Sequence, residues 1–197
     1  MSESVSLEVD KSSRRRQCIL NAVKDALFEH DYNKLTIEEV ASRAGVGKST
    51  IYRWWKNKSD LVFELFKDET ASIFELDFEQ SLQHNLEQQL VRLSEILFEP
   101  IGRALLVVMA QNREKAGQFF KEYLLPRRKQ TLRLIEHAIQ RQEIKSDYPF
   151  ERMLDTLYGP IHYQIIFFNQ RPNAHEIHEL VSMVLAPILN SSSNKKI

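Results

Sequence analysis

The stretch Thr36 to Lys58, TIEEVASRAGVGKSTIYRWWKNK, holds the side chains with the most chemistry to offer. Between Gly47 and Trp55 it sets Lys48, Ser49, Thr50, Tyr52, Arg53 and Trp54 in close succession, mixing cations, hydroxyls and aromatics with no carboxylate among them. Hydroxyls and helix N-terminal amides bind phosphate oxygens, and Lys and Arg also reach guanine acceptors in a DNA major groove. This is recognition chemistry. Bond-making alternatives find little support. GVGKST shares its ending with a Walker A loop, but the first glycine of that motif is missing and the segment follows a helix where a P-loop needs a strand. His175 and His178 have the H-x-x-H spacing that puts two imidazoles on one helix face, yet no cysteine or carboxylate completes a metal site, and exposed surface histidines are the simpler reading. No Ser/His/Asp set can be assigned, and the plentiful Asp and Glu belong to solvated faces. The expectation is a protein that is not an enzyme and has no cofactor and no metal site.

Side chains that read a groove need a rigid mount, and the same stretch supplies one. Thr36 followed by Glu39 is a capping box that opens a helix. Ile37, Val40, Ala41 and Ala44 then fall at helical spacing on one face. Gly45 follows, where a left-handed backbone ends the helix at little steric cost. Val46 and Ile51 supply the next apolar anchors, so the pattern is that of a helix-turn-helix. An ordinary amphipathic helix pair with a solvated basic face is the plainer alternative. Upstream, a helix from about Ser13 to His30 is expected to bury Ile19, Leu20, Val23, Leu27 and Phe28, with Cys18 as a small buried apolar group. Downstream, Asn57 is a cap and Asp60 lies in the first turn of a fourth helix through Leu61, Leu65 and Phe66.

The formal net charge is zero, but the charge is segregated: Lys11 to Lys58 holds eleven Lys/Arg against five Asp/Glu. A local basic surface is what phosphate binding requires. Arg14, Arg15 and Arg16 read either as a solubilising tail or as an arm contacting phosphates or the minor groove. Five Gly, six Pro and the lack of alternating segments favour an all-α protein, and 197 residues can bury a substantial core. No apolar run approaches a membrane span, the first residues lack a signal-peptide core, and the single cysteine excludes an intramolecular disulfide, so a cytoplasmic location is expected. The expected organisation is a flexible tail over 1–12, a helix-turn-helix DNA-binding domain over 13–58, a helical domain over 59–190, and a flexible tail over 191–197.

The run Ile19 to Leu61, ILNAVKDALFEHDYNKLTIEEVASRAGVGKSTIYRWWKNKSDL, resembles the N-terminal domain of the TetR/AcrR transcriptional regulators. The likeness rests on an apolar first helix, a T-x-x-x-[IV]-A-x-x-A-G-V helix, [ST]-x-[IL]-Y in the recognition helix, and a lysine entering the fourth helix. Asp31 stands where the family has Gly, so the first helix is expected to end differently. The resemblance implies a sequence-specific DNA-binding regulator, with repression the commoner mode. It implies that Lys58 contacts phosphate and that the fourth helix swings like a pendulum between the DNA-binding and effector halves. Within the unit, Thr36, Thr50, Tyr52 and Lys58 are read as backbone-positioning residues, Gly47, Lys48, Ser49, Arg53 and Trp54 as candidates for base-edge readout, and Trp55 as a core anchor. Double-stranded DNA carrying a palindromic operator is the expected partner. A non-catalytic helical protein-interaction or ligand-binding module without sequence-specific DNA binding is the alternative.

Beyond Phe74 the chain reads as helices over roughly Leu82 to Phe98, Gly102 to Gln111, Lys115 to Gln142, Glu151 to Phe168 and His175 to Leu189. Pro126 is expected to kink the third of these or to start a new helix. LLPRRKQTLRLIEHAIQRQEI followed by LYGPIHYQIIFF weakly resembles one C-terminal subtype of the family. The last two helices carry Leu154, Leu157, Ile161, Ile165, Phe168, Ile177, Leu180, Val181, Val184 and Leu185, and the resemblance implies that they meet a second copy in a four-helix bundle; burial within one chain is the other reading. The resemblance also implies a small-molecule effector. Phe98, Met109, Phe119, Phe120, Tyr123, His137, Tyr158, His162 and Tyr163 are the candidate lining, suited to an apolar or aromatic ligand, although core packing explains each singly. Gly159-Pro160 is expected to interrupt its helix and open space beside His162 and Tyr163.

Overall fold

The computed structural model describes residues 2–190, leaving aside the side chains of residues 2–11 and of Phe74. The tail expected over 191–197 lies outside the described residues. Among those described the protein is all-α, with one isolated bridge, Ile144 to Leu189, and no strand. Two compact units form, one from residues up to Glu69 together with Glu99–Ala116, the other from Thr70–Phe98 together with the chain from Gly117 onward.

The first unit holds α1 (Ser2–Glu29), α2 (Ile37–Arg43), α3 (Lys48–Trp54), α4 (Lys58–Glu69) and α6 (Pro100–Gln111). Helical backbone therefore extends through residues 2–12, which the sequence reading assigned to a tail. α1 buries Ile19, Leu20, Val23 and Leu27 as expected, but its stripe continues through Ala22 and Ala26, and Phe28 is 60% exposed. Cys18 is exposed too, a second correction, because it stands one residue short of the buried stripe. α6 packs against α4 and α1 through Ile101, Ala104, Leu105 and Val108, so the first compact unit includes a helix from the middle of the chain.

In the second unit, α5 (Leu82–Phe98) is the common partner of α8 (Leu125–Gln140), α9 (Phe150–Tyr163) and α10 (Ala174–Leu185). The long helix expected from Lys115 is broken: α7 (Arg113–Phe119) passes into a π-helical turn, Phe120–Leu124, and α8 then starts with Pro126 in its first turn. Pro126 has no N–H to donate to the preceding turn, which is why the helix widens and restarts there. Gly159-Pro160 does not interrupt α9, contrary to expectation. The helix runs through Pro160 and widens only at the π-helical Gln164–Phe168, ending on Asn169 in the left-handed region (φ 51°). The carbonyl that Pro160 leaves without its helical N–H belongs to Thr156, an exposed residue. α10 opens with a full capping box of Asn173 and Glu176.

Candidate nucleic-acid interface

α2 starts where Thr36 accepts a hydrogen bond from the Glu39 amide at 3.2 Å. Only this half of the expected capping box is used. The Glu39 carboxylate turns instead to His30 Nε2 (2.9 Å) and Arg43 Nε (3.0 Å), and Arg43 also grips Glu29 through both terminal nitrogens at 2.7 and 2.6 Å. This network latches the end of α1 to α2. The bond from Glu39 raises the His30 pKa, and His30 in turn lowers that of Glu39. Gly45 adopts φ +64°, and its amide and that of Val46 close the turn onto Ser42 and Ala41. A Cβ at Gly45 would meet nothing within 4 Å, so the requirement for glycine is conformational.

α3 is held from behind. Ile51 is fully buried and Trp55 nearly so, with Trp54 half-buried and edge-on to Trp55 at 5.5 Å. On the opposite side Gly47, Lys48, Ser49, Tyr52 and Arg53 are exposed, with Thr50 half-buried. The Lys48 ammonium donates to Glu38 Oε1 at 3.0 Å, which raises the lysine's pKa and lowers the carboxylate's. The sequence places Glu38 on the outer face of its helix but does not announce this pairing, because Glu38 belongs to the preceding helix, ten residues away.

Lys58 takes a different place from the expected phosphate contact. Its ammonium donates to the carbonyl oxygens of Tyr32 (3.0 Å), Asn33 (3.3 Å) and Leu35 (3.0 Å) and lies 4.5 Å from the centroid of the Tyr32 ring. An ammonium has three N–H groups, and all three are occupied within the domain. Beside it, the Tyr32 and Ser59 hydroxyls are 2.8 Å apart. Lys58 thus braces the α1–α2 loop against the start of α4, whose Asp60 amide donates to the expected cap, Asn57, at 3.1 Å.

A family model described as bacterial regulatory proteins of the tetR family matches residues 19–65. A second, described as the tetracyclin repressor-like C-terminal domain, matches residues 78–184, more than half of the chain. The chain belongs to the TetR family. It is 28% identical over 168 residues to YdeS, an uncharacterized HTH-type transcriptional regulator of Bacillus subtilis, covering 84% of this chain and 85% of YdeS. The fold matches the TetR family transcription regulator SCO0332 with a TM-score of 0.71 at 24% identity, covering 89% of this chain and 99% of that one. It also matches SmeT, the repressor of the Stenotrophomonas maltophilia multidrug efflux pump SmeDEF, with a TM-score of 0.63 at 19% identity, covering 89% and 91%. As a TetR-family member the protein is an HTH-type transcriptional regulator, a non-enzymatic DNA-binding protein; dimerisation is implied, and effector binding is typical of the family. No helix among the described residues is long and apolar enough to cross a membrane.

The TetR C-terminal half distributes the remaining candidates unevenly. Of the interface set, Leu154, Leu157, Ile161, Ile165, Ile177, Val181, Val184 and Leu185 are buried within the chain, Leu180 is half-buried, and Phe168 alone is exposed, at 56%. These eight face the core of their own unit. The exposed apolar side chains on the last two helices are instead Tyr163, Ile166, Phe167, Phe168 and Met183, with Tyr163 5.1 Å from Phe167 and 5.3 Å from Phe168. Of the pocket candidates, Met109 lies in the first unit and the others in the second. His137, Phe120 and Tyr163 are exposed, with His137 against Phe78 at 4.8 Å, while Phe98, Tyr158 and His162 are half-buried. Phe119 and Tyr123 are buried and stacked at 4.8 Å. His162 Nδ1 lies 2.9 Å from the Tyr158 carbonyl oxygen, one turn back in the same helix. The H-x-x-H histidines part company: His178 pairs with Glu87 at 2.9 Å and His175 approaches Glu179 at 3.6 Å, and no group of three metal-binding side chains occurs among the described residues.

Proposed function

We propose that the protein is a dimeric repressor that binds a palindromic operator and is released from it by a small-molecule effector. The observation that carries this reading is the exposed face of α3, where Lys48, Ser49, Tyr52 and Arg53 project from a helix fixed behind by Ile51 and Trp55. A rigid helix with cations, hydroxyls and a phenol on its free face reads base edges and phosphates in a major groove. Gly47, Thr50 and Trp54 flank that face, and Thr36 opens the supporting helix. Lys58 acts through the frame, bracing the loop that fixes α2. Two such helices about one DNA turn apart need a dimer, and a palindrome mirrors its two-fold axis. The second copy sits against Tyr163, Ile166, Phe167, Phe168 and Met183, because contiguous exposed aromatics of this kind mark interaction sites. The test is selection of genomic fragments by the purified protein. The expected result is enrichment of a palindrome, with binding weakened by salt and lost on Lys48→Ala or Tyr52→Ala. Fragments bound without sequence preference, and equally by both variants, would sink the reading.

A further inference from the structure

The inner face of α5 carries three buried polar side chains, and they are partnered differently. Asn85 donates to the carbonyls of Asp77 (2.8 Å) and Ser81 (3.0 Å) and accepts from the Asp77 amide (2.9 Å). Ser94 donates to the Val91 carbonyl of its own helix at 2.7 Å. Gln89, 2% exposed, accepts the Tyr158 hydroxyl at 2.9 Å through Oε1, while its amide nitrogen has no hydrogen-bond partner. With the phenol donating to Oε1, the end of the amide left without a partner is the N–H donor. A buried donor in that state costs free energy comparable to a lost hydrogen bond, so it calls for an explanation.

The surroundings supply one. The fully buried Thr131, on α8, donates its hydroxyl to the Arg127 carbonyl at 3.3 Å. The Arg127 guanidinium lies over the Tyr123 ring at 4.7 Å, and Tyr123 donates to Thr70 at 2.7 Å. Polar groups thus run in sequence through the second unit, and Gln89 ends the run with an open donor. Burial pushes the Tyr158 hydroxyl up to about 12, so it stays neutral and keeps its bond to Gln89. On the core side the neighbours along these helices are Leu86, Leu90 and Leu134, all fully buried. Resting on the reading of this domain as effector-binding, we propose that Gln89, held by Tyr158, is the polar anchor for the effector. It donates to a carbonyl or carboxylate oxygen on an otherwise apolar small molecule.

Matched probes test this on the full chain: acetophenone with a carbonyl, benzoate with a carboxylate, and ethylbenzene with neither, titrated by calorimetry. The expected result is at least tenfold tighter binding of acetophenone or benzoate than of ethylbenzene, with the better of the two deciding between a neutral and an anionic head. The Gln89→Leu/Tyr158→Phe protein should lose that preference and yet melt no lower than the wild type. Replacing both members of a buried polar pair by apolar groups is nearly neutral, so the loss of preference is read on a folded protein. If the double variant fails to fold, Gln89→Met, which keeps the volume, is read for the same loss of preference. Equal binding of the three probes by wild type, no binding of any, or an unchanged preference in the variant would overturn the anchor. The wider reading fails on a separate result, an operator complex that no compound of a broad library dissociates.

Discussion

Lys58→Met separates a brace from a phosphate contact. Methionine retains most of the lysine stem but removes the donors to Tyr32, Asn33 and Leu35 and the cation over the Tyr32 ring. A hydrogen bond from a charged group contributes roughly 1.5–3 kcal/mol, and the ring contact about 0.5–1 kcal/mol. The Asn33 bond is exposed, so water replaces it at little cost. Those to Tyr32 and Leu35 are part-buried, and rehydration recovers a portion of each. A net loss of about 2–3 kcal/mol follows, which for a chain of this size lowers the melting midpoint by roughly 5–10 °C. The assay is thermal unfolding at fixed protomer concentration, since dimer stability depends on it, paired with operator affinity across a salt series. The brace predicts a lower midpoint and an unchanged salt slope. An unchanged midpoint with a slope reduced by about one, the signature of one lost phosphate contact, refutes the reasoning.

Glu38→Gln frees Lys48 from its 3.0 Å partner and removes a negative charge beside the recognition helix. Affinity for non-specific duplex DNA should rise a few-fold at low salt, with the gain shrinking at high salt as the exposed charge is screened; equal affinities for variant and wild type at low salt would count against the arrangement. The pH dependence follows from His30, whose folded pKa is raised by Glu39. Its stabilisation is complete below the unfolded histidine value of about 6.5 and is lost as pH rises through the higher folded value. The midpoint of wild type should therefore fall relative to that of His30→Gln across that rise, and a constant difference on both sides of it would show that the latch does not titrate. Phe167, 72% exposed, is the most exposed of the aromatic group on the last helical turns. Phe167→Asp should give a monomer by light scattering at micromolar concentration with unchanged helical content, while a persistent dimer would move the interface elsewhere.

Much of the first domain was legible because its signals are local. Gly45 has the left-handed φ that its position after Ala44 requires, Asn57 caps α4, and Ile51 and Trp55 anchor α3. Periodicity also marked out α5 to the residue. What misled was the excess of apolar residues in the last two helices. Leu154, Leu157, Ile177 and Val181 are consumed by packing α9 and α10 against α5, and the side chains left outside include the π-helical Ile166 to Phe168, where the widened turn shifts the exposed face off the regular helical stripe. The bracing role of Lys58 was not legible because its three acceptors are backbone carbonyls more than twenty residues upstream, which no side-chain pattern announces. Gln89 did leave a trace. It stands on the stripe of Leu82, Leu86, Leu90, Leu93 and Leu97, and a glutamine on a buried leucine face is a polar group that needs a partner.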